Sequence, residues 1–164
     1  MSPTDTPESI RTAHLSHEAS VKSIGTLYYI GAVMLIIGAI ALPFDPKRGI
    51  AHPWLIATLL ILLGVVYFKL GQWFRALQPK ARTPGTILAA FGLLGFPLGT
   101  LINAYVLYLI HSAKGKVVFS EEYQAVVAAT PGIKYKTSLL VWIFIGLLIF
   151  FVLAAILAAL FAKK

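Results

Sequence analysis

The sequence predicts an all-α integral membrane protein, a four-helix bundle with a short interfacial helix in the loop between spans 3 and 4. Of its 164 residues, 59% are hydrophobic and only 12% are charged, whereas a soluble domain carries about 25% charged residues. The apolar residues also stand in long uninterrupted blocks, which is typical of membrane-spanning helices rather than of a soluble core. The length allows one such domain.

The first 22 residues are predicted to form a flexible N-terminal arm, and residues 23–164 the four-span transmembrane domain. Prolines, threonines and mixed charge argue against packing of the arm. The arm does not resemble the start of a cleaved signal peptide, so the first apolar block is expected to stay as an anchor. His14, His17 and Glu18 fit one helical turn, but a metal site needs three or four ligands, and no further partner stands out.

The first span is predicted over about residues 24–42. Tyr28 and Tyr29 near its start fit an interfacial aromatic belt. Gly31 and Gly38 lie seven residues apart, so they are expected to share a helix-packing face.

The second span is predicted over about residues 54–70. Pro53 suits a first helical turn, and Trp54 suits the membrane interface. Beyond the apolar part, Lys69–Leu77 is predicted to continue as an amphipathic helical extension at the level of the headgroups.

The third span is predicted over about residues 86–110. Four positions in it recur at helical spacing and form a predicted helix-packing face: Gly92, Gly95, Gly99 and Asn103. The small residues would let a second helix approach closely, and the amide would hydrogen-bond across the contact.

Pro97 lies among these glycines and is expected to kink the third span. The carbonyl near Leu93 that loses its helical partner then needs another donor, because lipid supplies none. An alternative is a broken helix that lines a substrate or ion path, but such helices usually come in matching pairs, and no second one is found.

The loop before the fourth span, which is predicted over about residues 139–161, contains a predicted short helix. Ser120 suits its N-cap, and Glu121 and Glu122 lie in the first turn at the positive end of the dipole. Pro131-Gly132 ends it. Neighbouring residues do not face each other on a helix, so a catalytic or ion-binding pair of carboxylates is disfavoured.

Four lysines frame this helix and are the predicted contacts to lipid headgroups or a partner: Lys114, Lys116, Lys134 and Lys136. With four spans, both termini and the loop between spans 2 and 3 share one side of the membrane. That side carries eight basic residues and the other side six: Arg11, Lys22, Lys69, Arg75, Lys80, Arg82, Lys163 and Lys164 against Lys47, Arg48, Lys114, Lys116, Lys134 and Lys136. The small excess favours cytoplasmic termini.

Two stretches carry a specific pattern: FPLGTLINAYVLYLI and KGKVVFSEEYQAVVAATPGIKYKTS. Together with HEASVKSIGTLYYIGA and GQWFRALQPKAR, they resemble a family of small uncharacterised bacterial four-span membrane proteins. The resemblance covers most of the chain from about residue 17 to residue 138. It implies a bacterial source, and hence the inner (cytoplasmic) membrane, and it implies no mechanism.

No catalytic, cofactor-binding or metal-ligating residue is predicted. Common catalytic and nucleotide-binding patterns are not found, and the predicted spans hold no buried acid of the kind that coupled transporters use. We therefore expect an interaction, scaffold or accessory membrane subunit rather than an enzyme. An oligomeric passive channel lined by Thr100, Asn103 and the glycine face is the alternative.

The expected partners follow from the net charge of +8. The basic residues flank the apolar blocks, so anionic lipid headgroups are expected, together with a second copy or another membrane protein. Nucleic acid is not expected, because no basic run or basic helix is found.

Overall fold

The structure is a computed structural model that describes residues 6–44 and 49–135. In these ranges it is all-helical, and the chain up to Ile133 forms one compact unit. Its helices are α1 (Pro7–Ala41), α2 (Pro53–Arg75), α3 (Arg82–Gly92), α4 (Leu98–His111), α5 (Ala113–Val118) and α6 (Glu121–Ala129). Two short 3-10 turns, Leu42–Phe44 and Pro79–Ala81, follow α1 and precede α3.

Helix α1 begins far earlier than the first predicted span. Thr6 caps it by accepting a hydrogen bond from the Ser9 amide, and Pro7 occupies its first turn. Its 35 residues extend over about 52 Å at 1.5 Å per residue, well beyond a hydrocarbon core of about 30 Å. The predicted flexible arm is therefore wrong for residues 7–22, which are helical and carry buried side chains on the face that packs against α4–α6. Residues 1–5 lie outside the described part.

Helices α1 and α2 pack as an antiparallel pair through small residues. A Cβ on Gly25 would lie 2.9 Å from the Gly71 carbonyl oxygen, and one on Gly71 would lie 2.9 Å from the Gly25 carbonyl oxygen. Further along the pair, Gly64 meets the backbone of Ala32. On each helix the small contact residues recur every seven positions: Gly25, Ala32 and Ala39 on α1, and Ala57, Gly64 and Gly71 on α2. This spacing keeps them on one seam.

The predicted packing role of Gly31 and Gly38 is only half right. Gly31 packs against the Tyr67 ring, at 3.0 Å from where its Cβ would be, whereas a Cβ at Gly38 would meet nothing within 4 Å. The seam of the pair lies about one residue further round α1 than the glycine spacing indicates.

Both α1 and α2 are long and apolar enough to cross a membrane, which agrees with the first two predicted spans. The fourth predicted span, residues 139–161, lies outside the described residues. The third is not one helix. Residues 82–111 form a hairpin in which the start of α3 meets the end of α4, since the Thr86 hydroxyl lies 2.9 Å from the Nε2 atom of His111.

Helices α5 and α6 fold over the end of the bundle where α1 begins. The side chains of Ser112 and Ser120 cap them by accepting hydrogen bonds from backbone amides. The helix predicted after Ser120 is thus confirmed. Its buried Tyr123 faces α1, where its hydroxyl binds Glu18.

The α1–α2 seam yields a prediction. Gly71→Ala places a methyl group against the Gly25 carbonyl and the Tyr29 ring, so we expect it to lower the free energy of unfolding by about 1–3 kcal/mol. The measurement is the unfolding midpoint of the purified protein in detergent, followed by circular dichroism.

Gly38→Ala is the matched control, because the new methyl group meets open space on the same helix pair. Its midpoint should stay constant or rise, since alanine is the better helix former. Equal losses in the two variants would mean that the Gly25–Gly71 contact is not what holds the pair together.

Candidate functional site

A buried ion pair lies near the N-terminal end of α1. The guanidinium of Arg11 donates to both carboxylate oxygens of Glu18, through Nε at 3.3 Å and through a terminal nitrogen at 3.2 Å. The two residues are only 6% and 3% exposed. Lys22 also donates to Glu18, at 2.5 Å. Because two cations and one acid meet here, the carboxylate charge is fully compensated.

The same arginine ties α1 to the C-terminal end of α6. Its other terminal nitrogen donates to the carbonyl oxygens of Val127 and Thr130 and to the Thr130 hydroxyl. These carbonyls form the negative end of α6, where a cation is stabilising. The fully buried Tyr123 of α6 donates its hydroxyl to Glu18 at 3.0 Å. We call Arg11, Glu18, Tyr123 and Thr130 the polar cluster.

Electrostatics favour the charged form of Glu18. Burial raises the pKa of the Glu18 carboxyl, but hydrogen bonds from Lys22, Arg11 and Tyr123 outweigh burial and hold the pKa below its ordinary value. Burial and the neighbouring carboxylate raise the pKa of Tyr123. The phenol therefore stays protonated at neutral pH and remains the donor in its bond to Glu18.

The two histidines near this cluster have structural partners. His17, which is buried, donates from Nε2 to the Leu109 carbonyl oxygen near the end of α4, at 2.9 Å. His14 donates to the Ile10 carbonyl within its own helix, and its ring packs edge-on against Tyr123. Both rings thus join α1 to the elements packed on it. No group of metal-ligating side chains occurs within the described residues.

The predicted packing residues do not lie on one helix, because the chain forms the α3–α4 hairpin in place of a single span. Gly92 ends α3 and Gly99 lies in α4, so the predicted common helix face is wrong, and Gly95 lies in the turn between them. The glycines instead allow α3 and α4 to approach: a Cβ on Gly92 would overlap the Asn103 side chain, and one on Gly99 would lie 2.9 Å from the Gly92 carbonyl oxygen.

The polar side chains of this hairpin serve its own backbone. The Thr100 hydroxyl donates to the Leu93 carbonyl oxygen at 2.6 Å, so the carbonyl expected to need a partner beside Pro97 has one. Asn103 donates to the Gly99 carbonyl within α4 at 2.8 Å rather than to another helix. Pro97 caps α4 instead of kinking a continuous helix.

A groove of about 450 Å³ lies between the α1–α2 pair and the hairpin. Its walls are mainly apolar, with Tyr28, Tyr67 and Asn103 as the polar members. Leu27 and Phe91, which also line it, are 50% and 69% exposed, so the groove is open to the exterior. Its volume lies within the range of about 300–1,000 Å³ typical of small-molecule pockets.

Basic side chains surround the end of the bundle that carries the polar cluster. Two of the predicted contact lysines, Lys114 and Lys116, are exposed on α5. Lys134 is also exposed, but it belongs to a second unit that begins there, and Lys136 lies outside the described residues. In the α2–α3 connection, Lys80 lies over the Trp73 ring, 5.0 Å from its centre.

The fold overturns the predicted arrangement of charges. The four-span prediction puts the loop after α4 on the side opposite the N-terminal arm, but Arg11 binds the end of α6, so the two lie at one end of the molecule. Eight basic residues up to Ile133 therefore share this end: Arg11, Lys22, Lys69, Arg75, Lys80, Arg82, Lys114 and Lys116. The sequence between α1 and α2 carries two, Lys47 and Arg48.

Sequence reasoning missed the polar cluster. Arg11 and Thr130 are 119 residues apart, and the arm around Arg11 has a polar composition that resembles a disordered tail. One signal was present: Arg11, Glu18 and Lys22 lie at spacings of seven and four, which places them on one helix face.

No protein-family model, no curated protein and no solved structure matches the chain. The class therefore rests on the fold itself. The protein is a helical protein with two helices long and apolar enough to cross a membrane, and its polar cluster and basic residues lie at one end of that helix pair.

The polar cluster yields a prediction. Glu18→Gln keeps the shape of the side chain but leaves the buried guanidinium of Arg11 without its counter-charge. We expect a loss of about 1–3 kcal/mol in the free energy of unfolding, measured by chemical denaturation at pH 7. Glu8→Gln, an exposed acid in the first turn of the same helix, is the control and should change little.

The pH dependence separates charge from shape. The pKa of Glu18 is lowered on folding, so its contribution is complete above the ordinary value of 4.5 and is lost as pH falls through the folded value. The stability difference between the wild type and Glu18→Gln should therefore shrink on acidification below about pH 4.5. A difference that stays constant down to pH 3 would contradict this assignment.

Proposed function

We propose that this chain is a multi-pass protein of the bacterial cytoplasmic membrane that acts as an interaction, scaffold or accessory subunit. One observation carries the membrane placement. The most apolar 18-residue windows of α1 and α2 are only 17% and 22% buried within the protein. A core helix of a soluble protein is mostly buried. In α1 and α2, by contrast, large apolar side chains are exposed on the outer surface, as a lipid environment requires. The bacterial assignment rests on the family resemblance.

The α3–α4 hairpin is proposed to be re-entrant. At 11 and 14 residues, α3 and α4 extend over about 16 and 21 Å, and neither crosses a hydrocarbon core of about 30 Å. Non-helical backbone at membrane depth is tolerated where its polar groups find protein partners, as the Leu93 carbonyl does in Thr100. The hairpin would then enter and leave on the side where α1 begins.

The charge distribution supports a cytoplasmic location for that end. Of the ten basic residues up to Ile133, eight at the polar-cluster end stand against two in the α1–α2 connection, whereas a four-span arrangement divides the same ten residues six against four. Cytoplasmic segments carry the excess of lysine and arginine, so the start of α1 and helices α5 and α6 are placed inside. Exposed Lys114 and Lys116 then contact anionic headgroups of the inner leaflet.

The interaction role is proposed for α5 and α6. These helices lie beyond the apolar parts of α1 and α2, and the polar cluster fixes α6 in one orientation. Exposed residues of both signs, including Lys116 and Glu122, offer a polar surface for a partner protein. A channel lined by Thr100 and Asn103 is less favoured, since both side chains bond to the hairpin backbone.

Cysteine labelling tests the placement, because the chain has no native cysteine. Single cysteines replace Thr83 and Ala113, which flank the hairpin, and Ala51 in the α1–α2 connection. With a membrane-impermeant maleimide on intact cells, we expect labelling of Ala51→Cys alone. The other two should react only after permeabilisation.

Each alternative gives its own labelling pattern. If residues 86–110 cross the membrane as one span, Thr83→Cys and Ala113→Cys react from opposite sides. If Thr83→Cys and Ala113→Cys react in intact cells and Ala51→Cys does not, the re-entrant hairpin is supported but the proposed orientation is wrong.

Photocrosslinking tests the interaction role. A photoreactive amino acid at Lys116 is expected to crosslink in cells to a different protein, while the same group at Leu101, which is 68% exposed on α4, should react with lipid. Crosslinks between two copies from Leu101, without any protein crosslink from Lys116, would favour the oligomeric channel instead.

A further inference from the structure

The groove is lined in part by α2 and α3. A short turn with two basic residues connects these two helices. Leu63 and Tyr67 of α2 form one side, and Leu88 and Phe91 of α3 form another. Helix α2 ends at Arg75 and α3 begins at Arg82. The turn between them therefore lies at the polar-cluster end of the molecule. Next to it, Phe74 of α2 packs against Gly85 of α3 and closes the space between the two helices, and the groove lies beyond this contact, towards the hairpin turn.

The turn carries two cations, neither of which forms an ion pair within the described residues. Lys80 is exposed and lies over the Trp73 ring, and Arg82 follows two residues later. In the part of the chain that the structure describes, ion pairs are recorded only at Glu18. Because Lys80 is exposed and Arg82 is partly exposed, an anion that approaches the turn from outside meets two cations that are in no ion pair within these residues.

We propose that the groove and this turn together bind one anionic phospholipid. One acyl chain lies in the groove between α2 and α3, and the phosphate lies at Lys80 and Arg82. This inference rests on the proposed membrane placement, under which the open side of the groove faces lipid tails. Arginine and lysine are the usual partners of phosphate, and an aromatic ring beside a lysine suits the headgroup level.

Charge complementarity selects this occupant over two others. A neutral lipid fills the apolar groove equally well but leaves both cations without a counter-charge. An apolar helix of a second copy does the same. An anionic phospholipid satisfies the apolar walls and the basic turn at once, because its tail lies in the groove while its phosphate extends past Phe74 and Gly85 to the turn.

The test is retention of lipid by the purified full chain. The protein is exchanged into mild detergent with equal amounts of phosphatidylglycerol and phosphatidylcholine, and bound lipids are counted by native mass spectrometry. We expect one phosphatidylglycerol per chain. Leu63→Trp fills the groove and should lower occupancy at least about tenfold. Lys80→Gln with Arg82→Gln should lower it about fivefold for each charge removed.

Two matched controls make the test specific. Leu62→Trp adds the same ring to the neighbouring residue, which does not line the groove, and should retain the lipid. Lys114→Gln with Lys116→Gln removes two exposed charges from α5 and should also retain it. Loss of lipid in this second control, to the same extent as in the Lys80 and Arg82 variant, would mean diffuse attraction and overturn the site.

Three further results also overturn the proposal: equal retention of phosphatidylcholine, unchanged retention in Leu63→Trp, or a dimer that Leu63→Trp separates, which would assign the groove to a second copy. If Leu63→Trp loses its helical circular dichroism, Leu63→Phe and the charge variant, whose substitutions lie outside the groove, decide the question. Labelling at Thr83 and Ala113 reports the membrane placement separately, so failure of the lipid site leaves that result standing.

Discussion

The salt bridge between Arg11 and Glu18 determines where the second half of the described chain lies. A buried guanidinium needs acceptors, and all three nitrogens of Arg11 have one, from a carboxylate on its own helix and from the carbonyl end of α6. The bond to α6 joins residues 119 positions apart. Since it fixes the end of α6 beside the start of α1, the chain between them must return to the end from which it set out.

The hairpin is how the chain meets that requirement. A single helix over residues 86–110 would deliver α5 and α6 to the far end of the α1–α2 pair, where Arg11 cannot reach them. Two short helices return them to the near end. Glycine makes this possible twice: at Gly92 and Gly99, where α3 and α4 come too close for a side chain, and at Gly115, where a Cβ would overlap the Leu109 carbonyl as α5 folds over α4.

Features that depend on neighbouring residues, such as helix caps and stops, could be predicted from the sequence. Contacts between residues far apart in the chain could not. The Ser120 cap, the acidic first turn and the Pro131-Gly132 stop specify α6 within a dozen residues, and the structure has that helix. Pro97 alone likewise predicts that the Leu93 carbonyl needs a new donor, and Thr100 is that donor. A proline among small apolar residues, however, is compatible with a kinked span and with a hairpin turn. The choice depends on Arg11, which no local pattern connects to residues 127–130.

Charge and topology are linked through the same constraint. In a four-span arrangement the basic residues divide almost evenly, so they exert little control over insertion. Once the hairpin returns α5 to the near end, eight of them stand there against two in the α1–α2 connection. Each lysine or arginine near an anionic leaflet contributes about 1 kcal/mol, so an excess of six is a large bias where an excess of two is not. The α3–α4 hairpin thus places the charges, and under the proposed membrane placement it favours one orientation of the chain through them.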